Sequence, residues 1–346
     1  MSQNTAATAP QPPVLRWGFL GTGRIASWMA DVLRNTPRGH LAAVASRSAA
    51  SAEAFAKRHG AERGFHSWAE MLAWSGIDAV YVATPTALRE EICVAAAKAG
   101  KHVLGEKPFA SLPSLERITA ACRENEVAFM DATHFVHHPR TAAILARRDE
   151  RVGRPRSLDS SFLVPLGDRG DIRYDPRLEP LGALGDLGWY NLRATLEYLS
   201  PLAALRSVSA RLRRDRHSGA IIGGEGSLVF EDGCVSAWRC GFDAEAPIIA
   251  LRLSGPLGQV AMDNFVGEEA DGSASYRPIE LASTDARPRL VRVESTLSGP
   301  ALMFQDFAAA ARDPLLRDRW VEASERTQAL LDAVWEVGTG QPAGSG

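Results

Sequence analysis

Cysteine is scarce: the 346 residues hold only Cys93, Cys122, Cys234 and Cys240, with no C-x-x-C spacing among them. So few cannot staple a chain this long, and reduced, mostly buried thiols are expected. Long apolar runs are also missing. No stretch of about 18 consecutive apolar residues occurs, which leaves no candidate for a membrane-spanning helix. Nor is there a surplus of charge. Lys and Arg number 39 against 41 Asp and Glu, a formal net charge of −2, and this offers no global field to nucleic acid or an anionic membrane surface. Residues 1–13 lack the basic region, apolar core and twin arginine of a leader, so they read as a disordered tail and the protein as cytoplasmic. What remains is an ordinary soluble composition, 45% hydrophobic and 23% charged, long enough for two domains.

Periodicity divides the chain. Strand-like runs at 15–20, 41–45, 79–83, 102–104 and 127–130 alternate with Ala-rich helical stretches near 24–35, 49–59, 87–99 and 112–124. This alternation predicts an α/β domain over 14–138, built on a doubly wound parallel sheet. After Pro139 come a helix near 140–148, a polar link at 149–155, and longer strands with hairpin signals. Runs at 228–230 and 234–238 flank Glu231-Asp232-Gly233, and runs at 249–253 and 259–264 flank Gly255-Pro-Leu-Gly258. They predict an α+β domain over 139–340 with a mainly antiparallel, open-faced sheet and helices at 186–199, 300–312 and 321–337. Phe230, Trp238, Phe242, Ile249 and Leu251 are candidates for an apolar patch on its outer face, from which a homodimer or higher homo-oligomer is expected.

The segment Gly18-Phe-Leu-Gly21-Thr-Gly23-Arg-Ile-Ala26 follows a strand-like run and opens a helix-like one. Gly21 permits the tight turn, Gly23 lets the backbone approach a pyrophosphate, and Ala26 allows close packing of helix on sheet. About 20 residues on, where an NAD enzyme carries an acidic residue, the chain reads Ser46-Arg47-Ser48. A hydroxyl and a guanidinium suit a 2′-phosphate, so NADP is the expected cofactor, the alternative being a solvated loop arginine. The contacts expected are Gly21, Thr22, Gly23, Arg24 and Ile25 in the turn, Ser46 and Arg47, Thr84 and Pro85 after a later strand, and Glu106 with Lys107.

Chemistry gathers at two further places. Gly105-Glu106-Lys107-Pro108 puts a lysine at the carboxyl edge of the sheet, where it can stabilise an alkoxide or sit on the surface as an ordinary turn residue. In Gly182-Ala-Leu-Gly-Asp186-Leu-Gly-Trp-Tyr190, Asp186 and Tyr190 stand four apart at a helix start, hence on one face. Read alone, Asp186 is a helix cap and Tyr190 a core aromatic. Read with Lys107, the three are catalytic, Tyr190 and Lys107 sharing proton transfer with the cation lowering the phenol pKa. His134 and His137 are offered to substrate, as is Arg173 in the Pro- and Gly-rich stretch 165–180. No metal is expected from His134, His137 and His138, because no further ligand follows at metal spacing.

Gly21-Thr-Gly23-Arg-Ile-Ala26, Glu106-Lys107-Pro108 and Gly-Asp186-x-Gly-x-Tyr190, in this order, resemble the glucose-fructose oxidoreductase, inositol dehydrogenase and rhizopine catabolism (Gfo/Idh/MocA) family over nearly the whole chain. Phe135-Val-His137-His138-Pro139 and Gly170-Asp171-Ile172-Arg173-Tyr174 resemble its branch of NADP-dependent sugar 3-ketoreductases, with dihydrodiol and xylose dehydrogenases nearby. The resemblance implies an N-terminal Rossmann domain, a C-terminal open-faced sheet used for oligomerisation, and catalysis by Lys107, Asp186 and Tyr190. It departs at Ala83-Thr-Pro-Thr86-Ala-Leu-Arg89, where relatives often have A-T-P-N-x-x-H. The expected function is NADP-dependent hydride transfer on a secondary alcohol or ketone of a sugar or polyol. The alternatives are a non-catalytic NADP sensor and a reductase of dihydrodiols or small diketones.

Overall fold

The computed structural model describes residues 14–281 and 289–344; the tail expected at 1–13 lies outside them. The strands β1 (Arg16–Leu20), β2 (His40–Ala45), β3 (Arg63–Phe65), β4 (Ala79–Val82), β5 (His102–Gly105) and β6 (Phe129–Asp131) form one sheet. All its pairs are parallel, in the order β3-β2-β1-β4-β5-β6. Helices cover both faces, which is why β4, Ala-Val-Tyr-Val, is apolar and buried at every position. These helices are α1 (Arg24–Asn35), α2 (Ala49–His59), α3 (Trp68–Ala73), α4 (Thr86–Lys98) and α5 (Leu112–Glu124). Neither β3 nor α3 is among the expected elements. A three-residue edge strand leaves no periodic signal. The order reverses between β1 and β4, and at such a point a crevice opens beyond the carboxyl ends of the strands.

The chain then passes through α6 (Pro139–Leu145) and α7 (Arg148–Arg151), so the expected polar link is partly helical. A second sheet follows: β7 (Ser157–Pro165), β8 (Leu205–Arg214), β9 (Ile221–Phe230), β10 (Val235–Gly241), β11 (Asp243–Ser254), β12 (Gly258–Met262), β13 (Ala274–Glu280) and β14 (Val291–Val293). Its order is β14-β13-β12-β11-β7-β10-β9-β8, and every pair is antiparallel except β7 with β10. α8 (Trp189–Ala194) lies on this sheet between two π-helical turns, Leu184–Gly188 and Thr195–Leu199. α9 (Gly299–Ala310) and α10 (Pro314–Thr339) follow, and α10 packs against both β8 and β6.

One expectation fails. Phe230, Trp238, Phe242 and Leu251 are 1–3% exposed and belong to the core, and Ile249 packs beside them. Alternation had marked these residues as sharing faces, and the face they share is covered by α8 and the turns around it. The opposite face carries Arg252, Asp159, Ala237, Ser227 and Ser209 in one row across β11, β7, β10, β9 and β8. These side chains are small or polar, so Phe230, Trp238, Phe242 and Leu251 do not supply the apolar patch from which association was expected.

Candidate active site

The glycine turn lies at the reversal point. Gly21 has φ +111°, and a Cβ there would sit 2.8 Å from the Ala83 carbonyl oxygen, so only glycine fits between β1 and the end of β4. Gly23 is the N-cap of α1, and no side chain caps the helix; a Cβ at Gly23 would project into open space. Such an N-terminus presents unpaired N–H groups and the positive end of the helix dipole to an anion. Gly21, Thr22, Gly23, Ser46, Arg47, Thr84 and Pro85 all border a cavity of about 340 Å³. The Thr22 and Ser46 hydroxyls lie within hydrogen-bonding distance of each other, 3.3 Å, and Arg47 is exposed at the rim. Thr84 contributes a buried hydroxyl with no hydrogen-bond partner among the described residues. An uncapped helix, an orphaned hydroxyl and a rim guanidinium fit a phosphorylated dinucleotide. His66 and Trp68 border the same cavity. Sequence reasoning missed them, because they follow the unrecognised β3.

Gly23, Thr84 and Ile172 also border a second cavity, about 460 Å³, into which the expected catalytic residues converge. Glu106 and Lys107 reach it from the end of β5, Asp186 and Tyr190 from the π turn and α8, and Arg24, Ile25, His134 and Arg173 from around its rim. Gly185 explains the meeting. A Cβ there would lie 2.7 Å from Pro108 Cγ, so its absence lets the π turn press onto the loop after β5 and brings the next residue, Asp186, to Lys107. Lys107 Nζ donates to Asp186 Oδ1 and to the Asp186 carbonyl, both at 2.9 Å, and lies 4.9 Å from the centre of the Tyr190 ring. Asp186 is thus not a helix cap; it sits inside a π turn, a distortion frequent at functional sites.

The electrostatics keep each group in one form. Burial disfavours the Asp186 carboxylate, but Lys107 and Arg173 outweigh it and hold its pKa well below the usual range. Burial likewise disfavours the Lys107 ammonium, and Asp186, aided by Tyr190 and Glu106, holds it above its ordinary value. Tyr190 corrects the sequence reading. Burial pushes the phenol up despite the opposing charge of Lys107, so it stays protonated. His134, edge-on to both Trp28 and Tyr190, is pushed down to about 3, by burial first and then by Lys107, and is neutral.

Arg89, left in doubt by the sequence, is buried and donates to the Thr84 carbonyl at 2.6 Å and to the Pro108 carbonyl. It ties the loop after β4 to the loop after β5. His137 does not join the site: its ring stacks on Trp320 at 4.5 Å and its Nδ1 lies 2.6 Å from Asp306 Oδ2. His138 accepts from the Arg140 backbone N–H at 3.0 Å and lies 2.8 Å from the Gly272 carbonyl. Trp28 and Phe162 border the catalytic cavity and were not foreseen.

A family model described as an oxidoreductase family with an NAD-binding Rossmann fold, Gfo/Idh/MocA, matches residues 15–133. The dTDP-3,4-didehydro-2,6-dideoxy-α-D-glucose 3-reductase of Actinomadura kijaniata is 32% identical over 324 residues, covering 92% of this chain and 94% of that protein. The chain belongs to the Gfo/Idh/MocA oxidoreductase family. It is 30% identical to D-xylose 1-dehydrogenase (NADP+) 2 of Haloferax volcanii over 66% of this chain and 70% of that enzyme. The crystal structure of a 3-ketoreductase from Actinomadura kijaniata, in complex with NADP and TDP-benzene, matches with a TM-score of 0.84 at 29% identity, covering 93% of this chain and 97% of that one. This member is therefore an oxidoreductase, and the non-catalytic sensor finds no support among these relatives.

Proposed function

We propose that this enzyme reduces the ketone of a keto-sugar, free or nucleotide-linked, to a secondary alcohol. It is an NADP-dependent oxidoreductase working on a sugar-like substrate, in keeping with its reductase and dehydrogenase relatives. One observation carries the direction: Lys107 and Tyr190 border the same cavity and both are held in their protonated forms. When bound, NADPH supplies the hydride. The Lys107 ammonium then stabilises the negative charge that develops on the carbonyl oxygen, and the neutral Tyr190 phenol donates the proton that completes the alcohol. Asp186 keeps Lys107 charged and aimed. Gly21, Thr22, Gly23 and the start of α1 would hold the pyrophosphate, and Ser46 with Arg47 the 2′-phosphate.

The test is NADPH consumption across a panel holding a dTDP-linked 3-keto-sugar, a free keto-sugar, an inosose and an apolar diketone. Turnover on the keto-sugars is expected; activity confined to the diketone overturns the carbohydrate reading. Cofactor choice is checked separately. Arg47→Asp should cost about 1.5–3 kcal/mol of NADPH affinity, because a charge-assisted bond to the 2′-phosphate is replaced by repulsion, and NADH affinity should scarcely change. Calorimetry finding equal affinities for the two cofactors in the unmutated protein would remove Arg47 from this role.

A further inference from the structure

Arg173, offered to substrate by the sequence, borders the catalytic cavity, and its guanidinium is also engaged by two carboxylates. Its Nε donates to Asp186 Oδ2 at 2.6 Å, while Lys107 holds the other carboxylate oxygen at 2.9 Å. Its Nη1 donates to Asp171 Oδ1 at 3.1 Å, and its backbone N–H donates to the same oxygen at 3.0 Å. The second oxygen of Asp171 pairs with Arg24, in the first turn of α1. A chain of alternating charge, Arg24, Asp171, Arg173, Asp186, Lys107, therefore runs from the glycine turn to the catalytic lysine.

The loop that carries Arg173 is fastened across the cleft at a second point. Glu179 accepts from the Thr86 N–H at 3.1 Å and from the Thr86 hydroxyl at 2.6 Å, and the Ala87 N–H donates to the Leu178 carbonyl at 3.1 Å. Glu179 thus caps α4, whose N-cap, Pro85, has no side chain able to do so. Between these fastenings Arg173 is part-buried, with its planar fork spread over two carboxylates.

We propose that Arg173 is a positioning residue: it grips the Asp186 carboxylate from the loop side and so fixes the orientation in which Asp186 presents the Lys107 ammonium to the cavity. The proposal rests on the function given above. It means that the catalytic lysine is set by a loop from the second-sheet half of the chain, and that the loop is itself latched to the cofactor turn through Arg24. A single ammonium cannot span two carboxylates as the guanidinium does. Glu106 and Tyr190 are also coupled to Asp186, and His134 and the buried Arg89 border the same cavity, but among the described residues only Lys107 and Arg173 donate to its side chain.

The experiment compares Arg173→Gln, Arg173→Lys and Asp171→Asn with the unmutated enzyme and with Lys107→Ala, using NADPH and the best keto-sugar of the panel. Arg173→Gln should lower kcat about a hundredfold, because a displaced carboxylate misplaces the lysine by an ångström or less. NADPH affinity should hold, and the pH profile of kcat should gain a fall on the acid side as the Asp186 pKa rises without its second cation. Arg173→Lys should recover part of the loss, and Asp171→Asn should show a smaller loss of the same kind. Raised substrate KM at unchanged kcat would make Arg173 a substrate contact and overturn the proposal. A lower kcat with a flat acid side and no recovery in Arg173→Lys would do the same, reducing Arg173 to a structural role. If Lys107→Ala itself retained full turnover, the functional reading would fall instead.

Discussion

Lys107→Ala should lower kcat about a thousandfold while leaving NADPH affinity within a factor of a few, because it removes the cation aimed at developing oxyanion charge. The Lys107 nitrogen donates to Asp186 and faces Tyr190. Lys107→Arg should rescue little, since a planar fork does not fit a position built around a single ammonium. Tyr190→Phe should cost less, about a hundredfold, because water can replace a missing proton donor more easily than a missing charge. The same electrostatics set a pH profile. Asp186, held low, remains ionised as the medium turns acid, and Lys107 and Tyr190, held high, remain protonated as it turns basic. His134 is neutral above about 3. Reductive kcat should therefore be flat from about pH 5 to 9. A bell centred near neutrality would mean that another group transfers the proton. Single-turnover and steady-state rates, set beside calorimetric NADPH binding, decide both points.

The glycine turn was legible because each glycine answers a backbone requirement: Gly21 needs its positive φ and Gly23 its empty cap. Lys107 was legible for a similar reason, since a residue just past a parallel strand must stand at the carboxyl edge. Alternation, by contrast, tells which residues of the second sheet share a face but not which face is covered. Phe230 and Trp238 therefore stood as candidates for the outer face, and both point in. The histidines show a different limit. His134 and His137 bracket one short 3₁₀ turn, and only the tertiary neighbours, Tyr190 for one and Trp320 for the other, separate cavity from core. The ion chain through Arg173 was hidden because its members, Arg24, Asp171 and Lys107, lie far apart in the chain and meet only when the two sheets are brought together.

Arg193→Ala should destabilise the protein by about 3–5 kcal/mol, because it strands a buried carboxylate. Asp131 closes β6 with its side chain fully buried, and Arg193 Nη2 donates to its Oδ2 at 3.1 Å from α8. Ser324 adds a hydroxyl to the same oxygen at 2.5 Å, and Arg193 Nη1 donates to Thr327 at 3.0 Å, so α10 joins the cluster. Thr133 donates its N–H to the other Asp131 oxygen at 3.1 Å and takes the Trp189 indole N–H at 2.7 Å. One carboxylate thereby locks the parallel sheet to the helix that carries Tyr190. The expected loss should be read in urea as a lower midpoint at unchanged slope. Arg193→Met combined with Asp131→Asn should recover part of it, because the neutral amide can still accept from Thr133 and no charge is left unpaired. A loss under about 1 kcal/mol in Arg193→Ala would show that water reaches Asp131 and that this ion pair adds little to holding the two halves together. Catalysis should respond as well, since Tyr190 sits one turn from Arg193 on the same helix, and kcat should fall in the single variant even at temperatures where it remains folded.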